Sequence, residues 1–347
     1  MKRLQDKIII STNRSIGHSS KNYLWLWLLW LSVFYLCWVS IVYIQDQWQT
    51  VTEHWPIAVA MALGSYAAGS TPMGGGTVGF PVLVLIFDMP ATIGRDFSFA
   101  IQAIGMTSAS IFILARRQTL ALSTLYGAML GSLIGTPLGI FFVAPLIPEL
   151  WIKIVFAVIW ASFGLLHLYR IKEITQHRGM TEFNERWDFR LGIYVGFLAA
   201  ISVVSVTGVG IDMLIYSVLI LLCRADLKIA IPTSVIIMAF TSVIGVIVKA
   251  LSTGFSPGVY ENWLAAAPVV ALGAPLGVFI VSIIGRKPTL FTVSAVCALQ
   301  YVWTCMHEYE LLGIGGVFVS LMAIALLLCA FEALRKQGLK LIGTNAK

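Results

Sequence analysis

The sequence predicts an all-α, polytopic membrane protein with two inverted-topology repeats, each a glycine-broken helical hairpin plus three transmembrane helices, and one extra helix at each end. Three observations carry this expectation. Of the 347 residues, 59% are apolar and only 11% are charged, whereas a soluble domain carries about a quarter charged residues. The apolar residues form runs of membrane-crossing length. A glycine-containing phrase of the first half also returns in the second. With so few polar side chains to cover a folded surface, the composition excludes a water-soluble enzyme, a disordered chain and a nucleic-acid-binding module.

A crossing needs roughly 20 apolar residues. Residues 1–22 read as a cytoplasmic leader carrying Lys2, Arg3, Lys7, Arg14 and Lys21, and the first crossing is expected over 23–44. That run is too long for the apolar core of a signal peptide, is rich in Trp and lacks a small-residue cleavage site after it, so it reads as a retained helix. Further runs lie at 55–88, 96–115, 119–143, 150–169, 191–222, 229–250, 262–284, 289–306 and 311–334. Those starting at 55 and 191 exceed one crossing and are interrupted by glycine.

If both long runs are hairpins that enter and leave on one side, the basic residues sort themselves. Of the 23 Lys and Arg, all but Arg95, Lys153 and Lys249 then share a side. The positive-inside rule makes that side cytoplasmic, with both termini on it, as in a multi-pass protein of the plasma (cell inner) membrane. The net charge of +7 is therefore a topology signal. Arg95 and Asp96 are expected in an extracellular turn. The five cysteines form no C-x-x-C pair and read as small buried hydrophobes.

The phrase GSLIGTPLG at 131–139 returns as VVALGAPLG at 269–277, the glycine break at 74–76 matches 208–210, and the helix at 96–115 matches 229–250. The units are then 55–170 and 191–307, joined by a basic cytoplasmic linker at 171–190. The helices at 23–44 and 311–334 stand outside them. Three crossings after each hairpin place the second unit upside down relative to the first, an arrangement that belongs mostly to carriers. A duplication kept only for packing is the alternative.

The first break runs from Ser70 to Pro81 and holds Thr71, Gly74, Gly75, Gly76 and Thr77. Three consecutive glycines with flanking prolines cannot hold a regular helix, and unpaired backbone at membrane depth is tolerated only against protein or a wet cavity. The break is therefore expected to line a substrate cavity, where free N–H groups offer positive partial charge to an anion. Its G-x-G-x-x-G spelling lacks the βαβ context of a dinucleotide site.

The second break holds Ser205, Thr207, Gly208 and Gly210, followed by Asp212. An acid at membrane depth is a functional candidate by default. Asp212 either takes up a proton and couples anion movement to it, or caps a half-helix through backbone N–H bonds. Ser98 and Gln102 share a helix face, and Thr233 and Ser234 follow Pro232 in the equivalent helix. Hydroxyls in membrane helices more often bond their own backbone. Gly127, Gly131, Gly135 and Gly139, with Gly273 and Gly277, are assigned to close helix packing. His167 and His307 are expected near opposite membrane faces, as solvated interfacial residues. Gln300 and Trp303 lie within reach of a cavity.

The two broken hairpins, the Gly-Gly-Gly run, the Gly-x-Pro-Leu-Gly helix and Pro232-Thr233-Ser234 together resemble the TauE/SafE sulfite-exporter family, within the toluene-sulfonate uptake permease superfamily. The resemblance covers about 55–307. It implies a secondary carrier (permease), not an enzyme, for small sulfur-containing anions such as sulfite or sulfonates, coupled to protons. It places the site at 74–77 and 207–210, with Thr233 and Ser234 adjacent. The chain departs from that pattern in the second break, which lacks a triple glycine and contains Asp212, and at Phe97-Ser98. A passive anion channel and a non-catalytic membrane partner protein are the competing functions. Intramembrane proteolysis is disfavoured because G-x-S-x-G and H-E-x-x-H are missing. The expected partners are the small anionic substrate and the lipid bilayer, with a homo-oligomer left open. Nothing in the chain suggests a metal or organic cofactor.

Overall fold

The computed structural model describes residues 23–345, so the leader expected over 1–22 lies outside the described residues. The described chain is helical throughout and contains no strand. It runs as α1 (Leu24–Ile44), a short α2 (Trp48–Glu53), α3 (Trp55–Ser70), α4 (Gly76–Pro81), α5 (Ala91–Ala115), α6 (Leu122–Leu138), α7 (Glu149–Ile174), α8 (Glu185–Ala199), α9 (Ile211–Leu221), α10 (Leu227–Leu251), α11 (Val259–Ile284), α12 (Arg286–His307) and α13 (Tyr309–Asn345). π-Helical turns extend α4 through Val82–Ile86, α6 through Gly139–Val143 and α8 through Ala200–Val204, after which a last helical turn, Ser205–Thr207, ends α8. Nine helices among the described residues are long and apolar enough to cross a membrane. The chain is a multi-pass membrane protein.

Glycine sets the closest helix contacts. A Cβ added to Gly127, Gly131 or Gly135 of α6 would lie 2.0, 2.3 or 2.6 Å from the carbonyl oxygens of Phe189, Ile193 or Phe197. Gly192 and Gly196 of α8 meet α6 in the same way. On the other side of the molecule Gly69 and Gly277 join α3 to α11, where a Cβ would approach the carbonyls of Ala274 and Tyr66 to 1.8 and 2.5 Å. Such backbone-to-backbone approach is what small residues permit in lipid. The pattern is reciprocal: the first arm of each hairpin lies against the glycine helix of the other half, α5 packs on α10, and α7 packs on α12.

The helix expected from residue 96 begins instead at Ala91, so Arg95 and Asp96 lie inside α5 rather than in a turn. The Glu149 carboxylate accepts the N–H of Ala91 at 2.5 Å and closes the helix start. Asp96 is fully buried, paired with Arg95 Nε at 2.9 Å and Lys249 Nζ at 3.0 Å, and accepts the Ser256 N–H and Oγ–H at 3.2 and 3.0 Å. Two cations and two further donors compensate its charge, which lets it sit inside the bundle. Asp212 is thus one of two fully buried aspartates. At the far end of α7, Arg170, Glu173, Arg224, Glu332 and Arg335 form a second, partly exposed ion cluster.

Candidate functional site

Both breaks fold the chain back on itself. A Cβ at Gly64 of α3 would lie 3.0 Å from Val78 Cβ, and one at Gly79 of α4 would lie 2.9 Å from Met61 Sδ, so α4 returns alongside α3. The reversal passes through Gly74, whose φ of +64° is a conformation that side chains rarely adopt. The second reversal uses Gly208 and Gly210, at φ +79° and +110°. The Thr207 hydroxyl holds it by bonding the carbonyls of Val203 and Val209, both at 2.9 Å.

The two breaks meet against one face of α5. Gln102 Nε2 donates to the Ser98 carbonyl at 3.2 Å and, across the junction, to the Gly208 carbonyl at 3.4 Å. A Cβ on Gly76 would lie 2.3 Å from Val209 Cγ1, 3.0 Å from Ser98 Oγ and 3.2 Å from Gln102 Nε2. One on Gly208 would lie 2.3 Å from the Arg95 carbonyl oxygen and 2.9 Å from Ser98 Cβ. One on Gly74 would lie 2.4 Å from Gln102 Oε1 and 2.9 Å from Asp212 Oδ2. These two oxygens therefore converge on a single point at the apex of the first break.

Both are buried and neither has a hydrogen-bond partner. Each is an acceptor, so what they lack is a donor. Asp212 Oδ1 accepts the Met213 N–H at 3.0 Å, the half-helix contact expected of a capping acid, and Oδ2 is left over. An unsatisfied buried polar group costs roughly 1–3 kcal/mol, more if charged. Beside the junction, Met61, Ser65, Gly75, Gln102, Gly105 and Ala274 line a cavity of about 10 Å³, room for about one water. The breaks are held in a closed state.

Trp160 of α7 clamps the junction from the side. Its Nε1–H donates to Thr77 Oγ1 at 2.8 Å, and its ring lies 3.5 Å from where a Cβ of Gly210 would sit. Thr77 Oγ1 in turn donates to the Met73 carbonyl. Phe80, Phe156 and Trp160 stack behind it, with ring centroids 4.3 and 4.0 Å apart. Sequence reasoning missed Trp160; its signal was a tryptophan in the middle of a run, where the indole N–H must find a partner.

The structure thus brings Gly74, Gly76, Ser98, Gln102, Gly208 and Asp212 together, with Thr77 and Gly210 joined through Trp160. Other candidates have different surroundings. Thr71 ends α3, its hydroxyl donating to the Ala67 carbonyl at 2.7 Å. Gly75 faces Met61 and Ala68. Ser205 bonds the Ile201 carbonyl and touches Gly139. Thr233 bonds the Ile229 carbonyl and accepts the Ala121 N–H at 3.1 Å, tying α10 to the start of α6. Ser234 bonds the Ile231 carbonyl. Ser98 donates to the Gly94 carbonyl at 2.7 Å. Gln300 and Trp303 line a cavity of about 270 Å³ between α4 and α12, with Thr77 in its wall.

Every one of these hydroxyls spends its hydrogen on a backbone carbonyl. The donors that remain for an anion are the N–H groups at the starts of α4 and α9, where helix geometry leaves them unpaired. Comparison with curated proteins gives no match, and comparison with solved structures gives none. A family model described as Sulfite exporter TauE/SafE matches residues 23–301, taking in α1 as well as the segment from 55 on which the resemblance rested. The chain belongs to this family of membrane transporters.

Proposed function

We propose that the chain is a proton-coupled secondary carrier for a small sulfur-containing anion such as sulfite or a sulfonate, and that the anion sits where the two glycine breaks meet. The observation that carries this reading is the convergence of Gln102 Oε1 and Asp212 Oδ2, both buried and unpartnered, on the apex of the first break. Two acceptors facing each other in a dry site call for a shared proton, and Asp212 is the group that can hold it.

The coupling follows from charge. Two like charges about 4 Å apart repel by about 4 kcal/mol at an effective dielectric of 20, roughly a thousandfold in affinity. An anion at the junction and an ionised Asp212 therefore exclude each other. A protonated Asp212 removes the repulsion and turns Oδ2 into a donor. The anion then binds to the carboxyl hydrogen and to the N–H groups of the half-helix starts, so anion and proton cross together. The cavity of about 10 Å³ is too small for an oxyanion, so binding requires the halves to part. The glycine contacts of α3 with α11 and of α6 with α8 make each hairpin arm move with a helix of the other half, which suits rigid-body rocking of inverted repeats.

In this reading the carrier lies in the plasma membrane with both termini cytoplasmic, because the ion cluster on the Arg170 end of α7 continues the basic side of the chain. Its partners are the anion and the bilayer, with a homo-oligomer left open. A panel of sulfite, sulfate, methanesulfonate and acetate offered to proteoliposomes under a pH gradient tests it. Accumulation of sulfite or methanesulfonate, with acetate excluded, supports the substrate class; accumulation of acetate alone contradicts it.

A further inference from the structure

His167 is expected from sequence to be a solvated interfacial residue, yet it is fully buried. It lies on α7 two turns beyond Trp160, which touches the junction. Its Nδ1 is 2.8 Å from the Phe163 carbonyl oxygen and its Nε2 is 3.1 Å from the Tyr216 hydroxyl. A carbonyl oxygen only accepts, so Nδ1 carries the hydrogen of the neutral ring and Nε2 is bare, taking its hydrogen bond from Tyr216. Tyr216 is on α9, one turn after Asp212 and on the same helix face.

Past His167 the same helix carries Arg170, which pairs with Glu173 at 3.4 Å and with Glu332 of α13 at 3.1 Å. These two carboxylates are 28% and 33% exposed and so reach the edge of the protein. The order along the bundle is junction, Asp212, Tyr216, His167, ion cluster. The groups around His167 on the packed elements are Tyr216 of α9, Glu332 and Arg335 of α13, and Ser294 and Cys297 of α12, which meet α7 at Gly164.

We infer that Tyr216 and His167 form the proton route between Asp212 and the Arg170 end of the bundle. The inference rests on the proton-coupled reading above. In the step, the Asp212 carboxyl hydrogen passes to the Tyr216 oxygen while the Tyr216 hydroxyl hydrogen passes to His167 Nε2. The imidazolium then gives one proton to Glu173, Glu332 or water beside them. The net change is one proton moved from Asp212 to the cluster, and the reverse sequence loads the carboxylate. A packing role alone would account for the stacked rings of Phe163 and His167, whose centroids are 4.1 Å apart, but not for a bare Nε2 aligned between a carboxyl-bearing helix face and an exposed carboxylate pair.

Tyr216→Phe and His167→Asn, with Asp212→Asn alongside, test it in proteoliposomes with the same four anions. Two fluxes are compared: accumulation driven by a pH gradient, and anion exchange at equal pH, during which the proton stays on the carrier. Both route variants are expected to lose driven accumulation about tenfold or more, to keep exchange within about twofold of the unmodified protein, and to lose the rise of driven flux on acidification. Unchanged accumulation in both, with Asp212→Asn inactive, overturns the route and leaves the carrier reading standing. Parallel loss of exchange and accumulation assigns the two residues to the fold and also overturns the route. Unchanged accumulation in Asp212→Asn, or no flux of any of the four anions through the unmodified protein, overturns the coupled reading and the route with it.

Discussion

Trp160 donates its indole N–H to the Thr77 hydroxyl at 2.8 Å while its ring covers Gly210. One side chain of α7 thereby touches both glycine breaks and holds them together. Trp160→Phe removes the donor but keeps most of the ring. It is expected to cost about 1 kcal/mol, the worth of one hydrogen bond, and thermal unfolding in detergent measures it. Trp160→Ala also loses the stack on Phe156 and is expected to cost roughly 3–5 kcal/mol. If the two variants unfold alike, the contact with Gly210 is not what the ring supplies.

Gly74 is where side-chain bulk collides with the proposed anion site. Gly74→Ala sets a methyl 2.4 Å from Gln102 Oε1 at a φ of +64°, a strain of roughly 1–2 kcal/mol before any clash. Transport is expected to fall at least tenfold, in line with a lost site of about 1.4 kcal/mol or more. Gly315→Ala, at a helical position with nothing within 4 Å, is the control and keeps normal flux. Equal flux in the two variants would remove the first break from the site.

Gln102→Glu places a second carboxylate opposite Asp212. Two acids that close cannot both ionise, so one proton is retained to higher pH. The anion then meets at least one negative charge at neutral pH. Uptake is expected to collapse near pH 7 and to recover in part as the medium is acidified, because protonation of the second acid removes the charge. A pH profile of uptake checks this, and a uniform loss at every pH contradicts it.

The two ion clusters differ in burial, and their energetics should differ with it. Asp96→Asn leaves Arg95 and Lys249 without their common anion in a site where the lysine is 8% exposed. Breaking a buried set in this way costs roughly 3–5 kcal/mol. Glu173→Gln acts in the partly exposed cluster, where a pair is worth about 0–1 kcal/mol. Chemical denaturation of both variants compares them, and a smaller cost at Asp96 would refute the account of the triad.

Spacing can be seen in a sequence, whereas partner choice cannot. The crossings and both breaks were legible because lipid enforces long apolar runs and because glycine is the residue that turns such a run back. Gln102 was legible because it shares a helix face with Ser98. Arg95 and Asp96 were not, since two charges at a run boundary look like a turn until Lys249, far along the chain, is seen to neutralise the acid. Thr233 repeats a position of the first half, but its hydroxyl acquires the Ala121 N–H only through the packing of α10 on α6. Trp160 gave no pattern at all, because a single aromatic residue in an apolar run reads as core.

Sulfite uptake into proteoliposomes, driven by a pH gradient and compared between the unmodified protein and Asp212→Asn, tests the central claim most directly. The account predicts accumulation above the outside concentration in the former, and in the latter a flux that no longer responds to the gradient. Downhill flux alone, identical in both, would show that the acid at the meeting of the breaks does not couple protons to the anion.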